Sequence, residues 1–287
     1  MEIKINEKIL DISLENENTL GEVLTGIENW LVNSGHRISE LNINGQTVNA
    51  SMMEEFFSKN IKEIKNIDIR TNVIADLTAA SLINLIEDIN EYEKLSFDER
   101  SKYVKSWKET PTAGFISAEI PDLYAFCVNT FSGGDMAVLT LKSIAEEIQR
   151  EVNEPVNEAI KIDVIINEIC QRLVDLPLDI QTGKDARAAQ TIQIFSAAAE
   201  KLFRIFRQLD IQGYFTGENG KESKEEIEKR KEELKNRFID FSNVIKDLFD
   251  AYEKNDSVLV GDLTEYEASP KLKELYAAIK NNIQGGK

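Results

Sequence analysis

The chain has 287 residues, of which 51 are acidic and 34 basic, giving a formal charge of −17, and 42% are hydrophobic. This hydrophobic share is typical of globular proteins and excludes wholesale disorder. The acidic excess opposes general attraction to nucleic acid phosphates, so we expect no nucleic acid partner.

The sequence contains no run of about 18 apolar residues, the length that crosses a bilayer. The first fourteen residues alternate apolar and polar side chains and include charges, unlike a signal peptide. We therefore expect no membrane insertion and a cytoplasmic location. Cys127 and Cys170 each lie in an apolar helical pattern, which is typical of buried free thiols in a reducing compartment.

The chain begins with strand and hairpin signals. Glu2–Ile5 and Ile9–Leu14 alternate apolar and polar residues on either side of Asn6-Glu7, which predicts a hairpin. Thr19 and Glu22 then form a capping box in front of apolar residues at helical spacing. We expect a strand pair followed by one helix.

The next signals continue this order up to residue 70. Gly35 stands where a glycine ends a helix, and Asn44-Gly45 is the strongest short hairpin signal. Ser51 and Glu54 form a second capping box, which predicts a short helix. A last strand is indicated by three isoleucines: Ile64, Ile67 and Ile69.

This order of elements resembles the ubiquitin-like β-grasp fold: a hairpin, a helix across it, then further strands. The resemblance covers residues 1–70 and rests on element order. Proteins of this fold serve in binding, in sulfur carriage and as appended modules, so the resemblance alone assigns no activity.

From residue 73 onward the pattern is helical. We expect a long helix over 73–94, a short helix capped by Ser96 and Glu99, and an irregular aromatic stretch over 111–134 that Pro111 and Pro121 break. Asp135 is expected to cap the next helix. We thus predict an α+β protein with a β-grasp-like domain, residues 1–72, and a large all-helical, bundle-like domain, residues 73–287.

The second half of the helical region gives stronger boundaries. A helix is expected from Pro155 through Leu173, followed by a polar linker over 177–184 and a long helix over 185–212. After a glycine-rich loop at 213–222, Ser223 and Glu226 form a capping box at the start of a helix of about 30 residues. Two shorter helices follow, the second opened by Pro270.

The residues that could support catalysis are few. His36 is the single histidine, and at a helix end it is expected to contact the helix dipole or solvent. His36 belongs to another module than Cys127 and Cys170, so we expect no base beside either cysteine. One histidine and two cysteines far apart in sequence do not give a usual metal ligand set. Phosphate-loop, dinucleotide-binding and serine-hydrolase glycine patterns are absent from the sequence. We expect no catalytic residue, metal or cofactor.

The helix over 185–212 has an apolar side and an opposite basic side. In an acidic protein such a basic side could bind an acidic partner. The alternative is that these residues pair with acidic helices of the same molecule. The candidate partner-binding residues on this side are Arg187, Lys201, Arg204 and Arg207.

The stretch 111–134 is the second candidate. Its aromatic residues could line a groove, or they could pack at a corner between helices. The aromatic group also contains Phe126, and the candidate partner-binding residues are Phe115, Tyr124 and Phe131.

We interpret the chain as a non-enzymatic protein-interaction protein: an adaptor, chaperone or assembly factor. One alternative is an enzyme or small-ligand binder with a helical pocket, and another is a subunit of a motility or cytoskeletal assembly. A broad exposed apolar surface favours a protein partner, whereas a deep pocket with converging polar groups favours a ligand. The oligomeric state does not follow from the sequence.

Overall fold

A computed structural model of the chain describes residues 1–10, 17–49, 52–133, 135–215 and 223–284. Two compact units are present, residues 1–146 and residues 147–287. The first contains a small mixed sheet and the helices that follow it, and the second is helical. The α+β class with a helical bulk is therefore confirmed, while the boundary at residue 72 stays a prediction.

The sheet has five strands in the order β2-β1-β5-β3-β4. β1 pairs parallel to β5, with Ile3 opposite Ile67, and β3 pairs antiparallel to β5, with Leu41 opposite Ile69. This mixed sheet, crossed by one helix, is compatible with the β-grasp resemblance. The elements are β1 (Glu2–Ile5), β2 (Lys8–Ile9), α1 (Leu20–Asn33), β3 (His36–Ile43), β4 (Gln46–Thr47), α2 (Met53–Phe57), a 3-10 turn (Ile61–Glu63) and β5 (Asn66–Val73).

Both predicted hairpins are present, and their turns show why these sequences form them. Asn6 and Glu7 have φ of 49° and 68°, and Asn44 and Gly45 have φ of 52° and 80°. Two successive positive φ angles match the right-handed twist of the flanking strands, and asparagine and glycine tolerate them best. The predicted strand Ile9–Leu14 begins within β2, but residues 11–16 lie outside the described part.

The capping box of α1 is confirmed, because Thr19 accepts from the backbone N–H of Glu22 and Glu22 reaches back to the N-cap. The apolar side of α1 covers one face of the sheet. The resulting core contains Ile3, Leu20, Val23, Leu24, Ile27, Leu31, Leu41, Ile43, Val48, Phe56, Ile64, Ile67 and Ile69. For α2 the N-cap is Met52, and the predicted cap Ser51 lies outside the described residues.

The helices after the sheet follow the predicted order. The capping boxes of Ser96 with Glu99 and of Ser223 with Glu226 are both present. The helices are α3 (Ile74–Lys94), α4 (Phe97–Trp107), α5 (Pro111–Glu119), α6 (Pro121–Phe131), α7 (Asp135–Asn153), α8 (Pro155–Lys161), α9 (Asp163–Gln181), α10 (Asp185–Ile211), α11 (Lys224–Glu253), α12 (Ser257–Asp262) and α13 (Ser269–Gln284).

Three expectations about prolines and linkers were wrong. The stretch 111–134 is not irregular, because Pro111 and Pro121 each start a regular helix at its first turn, where a missing N–H costs nothing. The helix expected from Pro155 is divided at Ile162, whose ψ of −13° interrupts it for one residue.

The predicted linker 177–184 is mostly helix. Pro177 lies inside α9, which continues to Gln181. A proline there removes one backbone hydrogen bond, but buried Leu176 and Asp179 hold the last turn against the core. After the C-cap Thr182, Gly183 has φ of 69° and turns the chain out of the helix, and the N–H of Lys184 donates to the Asp179 carbonyl at 2.8 Å.

Between α12 and α13, Leu263–Ala268 form a π-helical turn, so the helical path continues from Ser257 to Gln284. Pro270 lies in the first turn of α13, where we expected it. It has no N–H for the regular helical bond, which favours a wider turn before it. Across the described residues, we find no helix that has both the length and the apolar character needed to cross a bilayer.

Candidate protein-binding surfaces

The predicted basic side of α10 is engaged by acidic side chains of its own unit. Lys201 Nζ lies 2.8 Å from Glu147 and 3.3 Å from Glu158. Arg204 donates two hydrogen bonds to Glu151, at 2.7 and 2.9 Å. The structure thus brings two predicted residues together with three carboxylates of α7 and α8.

Burial governs the charges in this cluster. Glu151 is fully buried, which raises the pKa of its carboxyl, and the hydrogen bonds from Arg204 oppose that rise without cancelling it. Burial alone would lower the pKa of the Lys201 amine, but Glu147 and Glu151 outweigh burial and raise it. The cluster is a charge-paired network inside the unit.

The other two predicted basic residues also have partners in the chain. Arg187 contacts Asp175 at 2.8 Å and the buried Asp179 at 3.0 Å. Arg207 is exposed and also has an intramolecular interaction. These contacts correspond to the alternative interpretation, internal pairing. Partner binding by this side of α10 stays a prediction.

The predicted aromatic residues differ in their degree of burial. Phe131 is buried, with its ring centroid 4.9 Å from that of Tyr92 and 5.1 Å from that of Trp107. Tyr124 is half-buried and stacks on Trp107 at 5.7 Å. Phe115 and Phe126 are also half-buried. The structure brings Tyr124 and Phe131 together around Trp107 in a packed cluster.

This aromatic cluster also contains a carboxylate. Trp107 Nε1 donates to Asp88 Oδ2 at 3.0 Å, and burial raises the pKa of Asp88. Burial raises the pKa of the nearby Cys127 thiol to about 12, so the thiol stays protonated at neutral pH and is a weak nucleophile. His36 lies in the same unit, with Nδ1 2.8 Å from the carbonyl of Ser34, the C-cap of α1.

A different surface presents unpaired cations. On α4, Phe97 is 88% exposed, the largest exposure among the large hydrophobic residues that the structure describes. Lys102, Lys105 and Lys108 are exposed, and none makes an ion pair with the described residues. Phe97–Lys108 holds two acidic and four basic residues, a net charge of +2 in a chain of −17. We name Phe97, Lys102, Lys105 and Lys108 the α4 face.

Sequence reasoning missed the α4 face because it concentrated on the buried side of this helix. At 100° per residue, Phe97 lies about 80° from Trp107 around the helix axis, at the edge of the apolar side. A helical projection of residues 97–108 would have shown Lys108 and Lys105 about 20° and 80° from Phe97, with Lys102 about 140° away.

A third surface is the outward side of α8 and α9. Its apolar members are Ile160, Val164, Val174 and Leu178, exposed by 48%, 72%, 71% and 56%. Two exposed amide residues, Asn167 and Gln171, lie between them along the helix. This strip contains no charge, although 30% of the chain is charged. We name these six residues the α9 seam.

Comparison with known families gives one match within each compact unit. Residues 1–72 match the family described as TP0873 N-terminal domain, and these residues hold the five-stranded sheet except for its last residue, Val73. Residues 157–278 match a domain of unknown function, DUF8042, which includes the α9 seam. The chain is 22% identical to an "Uncharacterized protein" of Treponema pallidum (strain Nichols), with 99% of both chains covered. No solved structure matches the chain.

Proposed function

We propose that the chain is a non-enzymatic protein-interaction protein, an adaptor, chaperone or assembly factor, whose α4 face binds an acidic protein partner. The observation that carries this proposal is the exposure of Phe97 on the same helical segment as three exposed lysines that have no carboxylate partner among the described residues. An exposed aromatic ring has no role in the stability of its own fold, since it is not removed from water. In an interface it is a typical anchor.

The charge pattern favours one kind of partner. A net charge of −17 repels acidic proteins from most of the surface, while the positive α4 face attracts them. Lysines steer the encounter and fix the orientation, and the aromatic ring contributes affinity by burial. The acidic residues of α4 lie in its first turn, where Glu99 is occupied by the capping box, so they leave the lysines available.

The ion pairs of α10 support the choice of α4. Lys201 and Arg204 would have to leave a fully buried carboxylate to bind a partner, and an unpaired buried charge is costly. The α4 lysines are in water already and lose no intramolecular partner on binding.

In this proposal the N-terminal module is β-grasp-like and is carried as an appended binding module beside the helices. The interaction takes place in the cytoplasm, where free thiols such as Cys127 and Cys170 persist. The protein uses no cofactor or catalytic residue for it.

The test compares three variants in quantitative capture from the native cell extract. F97A removes the anchor, and the triple variant K102E/K105E/K108E reverses the charge of the face. A matched triple, K8E/K62E/K65E, makes the same total charge change with exposed lysines of β2, the 3-10 turn and the residue before β5.

We expect F97A and the α4 triple each to reduce capture about tenfold or more, which corresponds to about 1.4 kcal/mol, while the matched triple keeps wild-type capture. Capture should fall as salt rises, and the captured protein should be acidic. Full capture by both α4 variants, or capture of basic proteins alone, would contradict the proposal.

A further inference from the structure

We propose that the α9 seam is a two-fold interface that binds the α9 seam of a second copy of this chain, with the two helices antiparallel. This inference goes beyond the α4 proposal and is independent of it, because it concerns another helix and another partner. It rests on the spacing of the seam, on its symmetry and on the charges beside it.

The first argument is the spacing. From Ile160 the seam proceeds in steps of four, three, four, three and four residues, ending at Leu178. Alternating steps of three and four residues are the a/d repeat that packs one helix along another. The opposite side of the same helices has such a repeat too, and that one is buried in the core of its unit: Ile162, Ile166, Ile169, Leu173 and Leu176.

The second argument is the symmetry of the seam. In an antiparallel pair related by a two-fold axis, residues equally far from the centre face each other. The centre of the seam falls at position 169. Ile160 then faces Leu178 of the second copy, Val164 faces Val174, and Asn167 faces Gln171. Apolar residues meet apolar residues, and the two amides, which can hydrogen-bond each other, meet at the centre.

The third argument is the charge beside the seam. Lys161 and Asp175 flank it on one side and are more than half exposed, and each also makes an ion pair within its own chain, with Glu158 and Arg187 respectively. In antiparallel heptad packing the flanking positions on this side pair with each other about a centre at Glu168, one residue from the centre of the seam. Lys161 then faces Asp175 of the second copy, twice by symmetry, and Glu168 faces Glu168 of the second copy. A parallel arrangement would instead place Asp163 beside Glu168 of the second copy, and two like charges would repel. The antiparallel pair thus makes two opposite-charge contacts and one like-charge contact, whereas the parallel pair makes two like-charge contacts, so the flanking charges favour the antiparallel pair.

The flanking carboxylates also leave little local net charge to oppose self-association. Asp163 pairs with Lys280 and Glu168 with Arg172, within the same chain. The acidic excess of the chain therefore acts on this pairing mainly at long range, where salt screens it. We expect added salt to preserve or strengthen the dimer, the opposite of its effect on the α4 partner.

The length of the α9 seam indicates the affinity of the proposed dimer. The eighteen steps from Ile160 to Leu178, at about 1.5 Å each, give a contact roughly 27 Å long. A single helix pair of this length is small among specific interfaces, so the dimer should dissociate in the micromolar range of concentration.

Sedimentation equilibrium of the full chain over a wide concentration range tests the interface. We expect the wild type to pass from monomer to dimer, and V174K to remain monomeric throughout. The matched control L139K makes the same change at a 65% exposed position of α7 and should dimerise as the wild type does. A wild type that stays monomeric at the highest concentration, or a V174K dimer of unchanged affinity, would overturn the proposal.

Engineered cysteines test the orientation. Oxidation of a mixture of N167C and Q171C should give a cross-linked dimer, whereas N167C alone should give none, because only the mixed pair is juxtaposed. The native thiols are both buried and serve as the background, measured on the wild type. Efficient cross-linking of N167C with itself would show a parallel pair and refute the antiparallel one. F97A should leave both results unchanged, which separates this inference from the function proposed for α4.

Discussion

Removing the guanidinium of Arg204 should destabilise the second unit strongly, and more at neutral than at acidic pH. In R204L the carboxylate of Glu151, which is fully buried, loses two hydrogen bonds and its closest cation. Lys201 remains 3.9 Å away, too far for a hydrogen bond. The variant therefore leaves a nearly uncompensated charge inside the unit.

The magnitude follows from the geometry. Breaking a fully buried pair costs about 3 to 5 kcal/mol. Arg204 is about one-third exposed, and Lys201 still acts at a distance, so we expect a loss of about 2 to 4 kcal/mol. The matched variant R150L removes an exposed arginine next in sequence to Glu151, and it should cost at most about 0.5 kcal/mol.

The pH dependence has a definite sign. Burial raises the pKa of Glu151 in the folded state, and R204L removes the hydrogen bonds that oppose this rise. A carboxyl with a raised folded pKa binds more protons when folded, so its penalty is full at neutral pH and is relieved as the pH falls towards the raised value. The loss in R204L should therefore be smaller at about pH 5.5 than at about pH 7.5, because the lower pH is closer to the ordinary range of a glutamate carboxyl.

The assay is urea unfolding followed by far-ultraviolet circular dichroism at both pH values, with hydrogen exchange of α7 and α10 as the local readout. The double variant E151L/R204L removes both charges and should recover most of the lost stability, because two apolar residues can replace a buried ion pair. A pH-independent loss in R204L, or a double variant less stable than R204L, would refute this account of the network.

Three further outcomes test the rest of the structure. T19A should destabilise the first unit by about 1 kcal/mol in thermal unfolding, because it removes the cap of α1; an unchanged melting temperature would contradict this. G45V should cost about 1 to 2 kcal/mol, because a β-branched residue is strained at positive φ, while G26A, at a helical position with open space, should be neutral or stabilising. Cys127 should resist thiol reagents at neutral pH until the protein unfolds, since burial raises its pKa to about 12; rapid labelling of the folded protein would show that the cluster opens.

The features that were predictable from sequence are those whose cause is local. Thr19 with Glu22 and Ser223 with Glu226 define helix starts because the side chain that caps the backbone stands three residues away. Asn44-Gly45 defines a hairpin because these two residue types tolerate positive φ. Each signal lies within four residues of the structure that it specifies.

The features that were missed depend on distant partners. Arg204 and Glu151 are separated by 53 residues, and no local pattern shows that α10 packs against α7. Pro177 was interpreted as a linker residue because its local preference opposes a helix, yet packing of the last turn of α9 outweighs the loss of one hydrogen bond. Burial by tertiary contacts decided both cases.

The two candidate surfaces were predictable from the sequence only in part. The spacing of the α9 seam and the excess of lysine on the α4 face are both present in the sequence. Exposure is what distinguishes them from a second core-facing side, and exposure depends on how the neighbouring elements pack. Val174 and Ile169 have similar hydrophobicity, but one is 71% exposed and the other is fully buried.

The π-helical turn of Leu263–Ala268 has a consequence for how chain length can vary among relatives. The buried residues follow one another at steps of four: Val260, Thr264, Ala268 and Leu272. A step of four exceeds the 3.6 residues of a regular helical turn. In a regular helix, Leu272 would therefore lie about 120° around the axis from Val260. The wider turn absorbs this rotation and acts as an insertion of one residue. Loss of a single residue such as the 66% exposed Tyr266 would leave eleven residues over three turns, close to a regular helix. Relatives one residue shorter at this place would therefore keep α13 facing the same core.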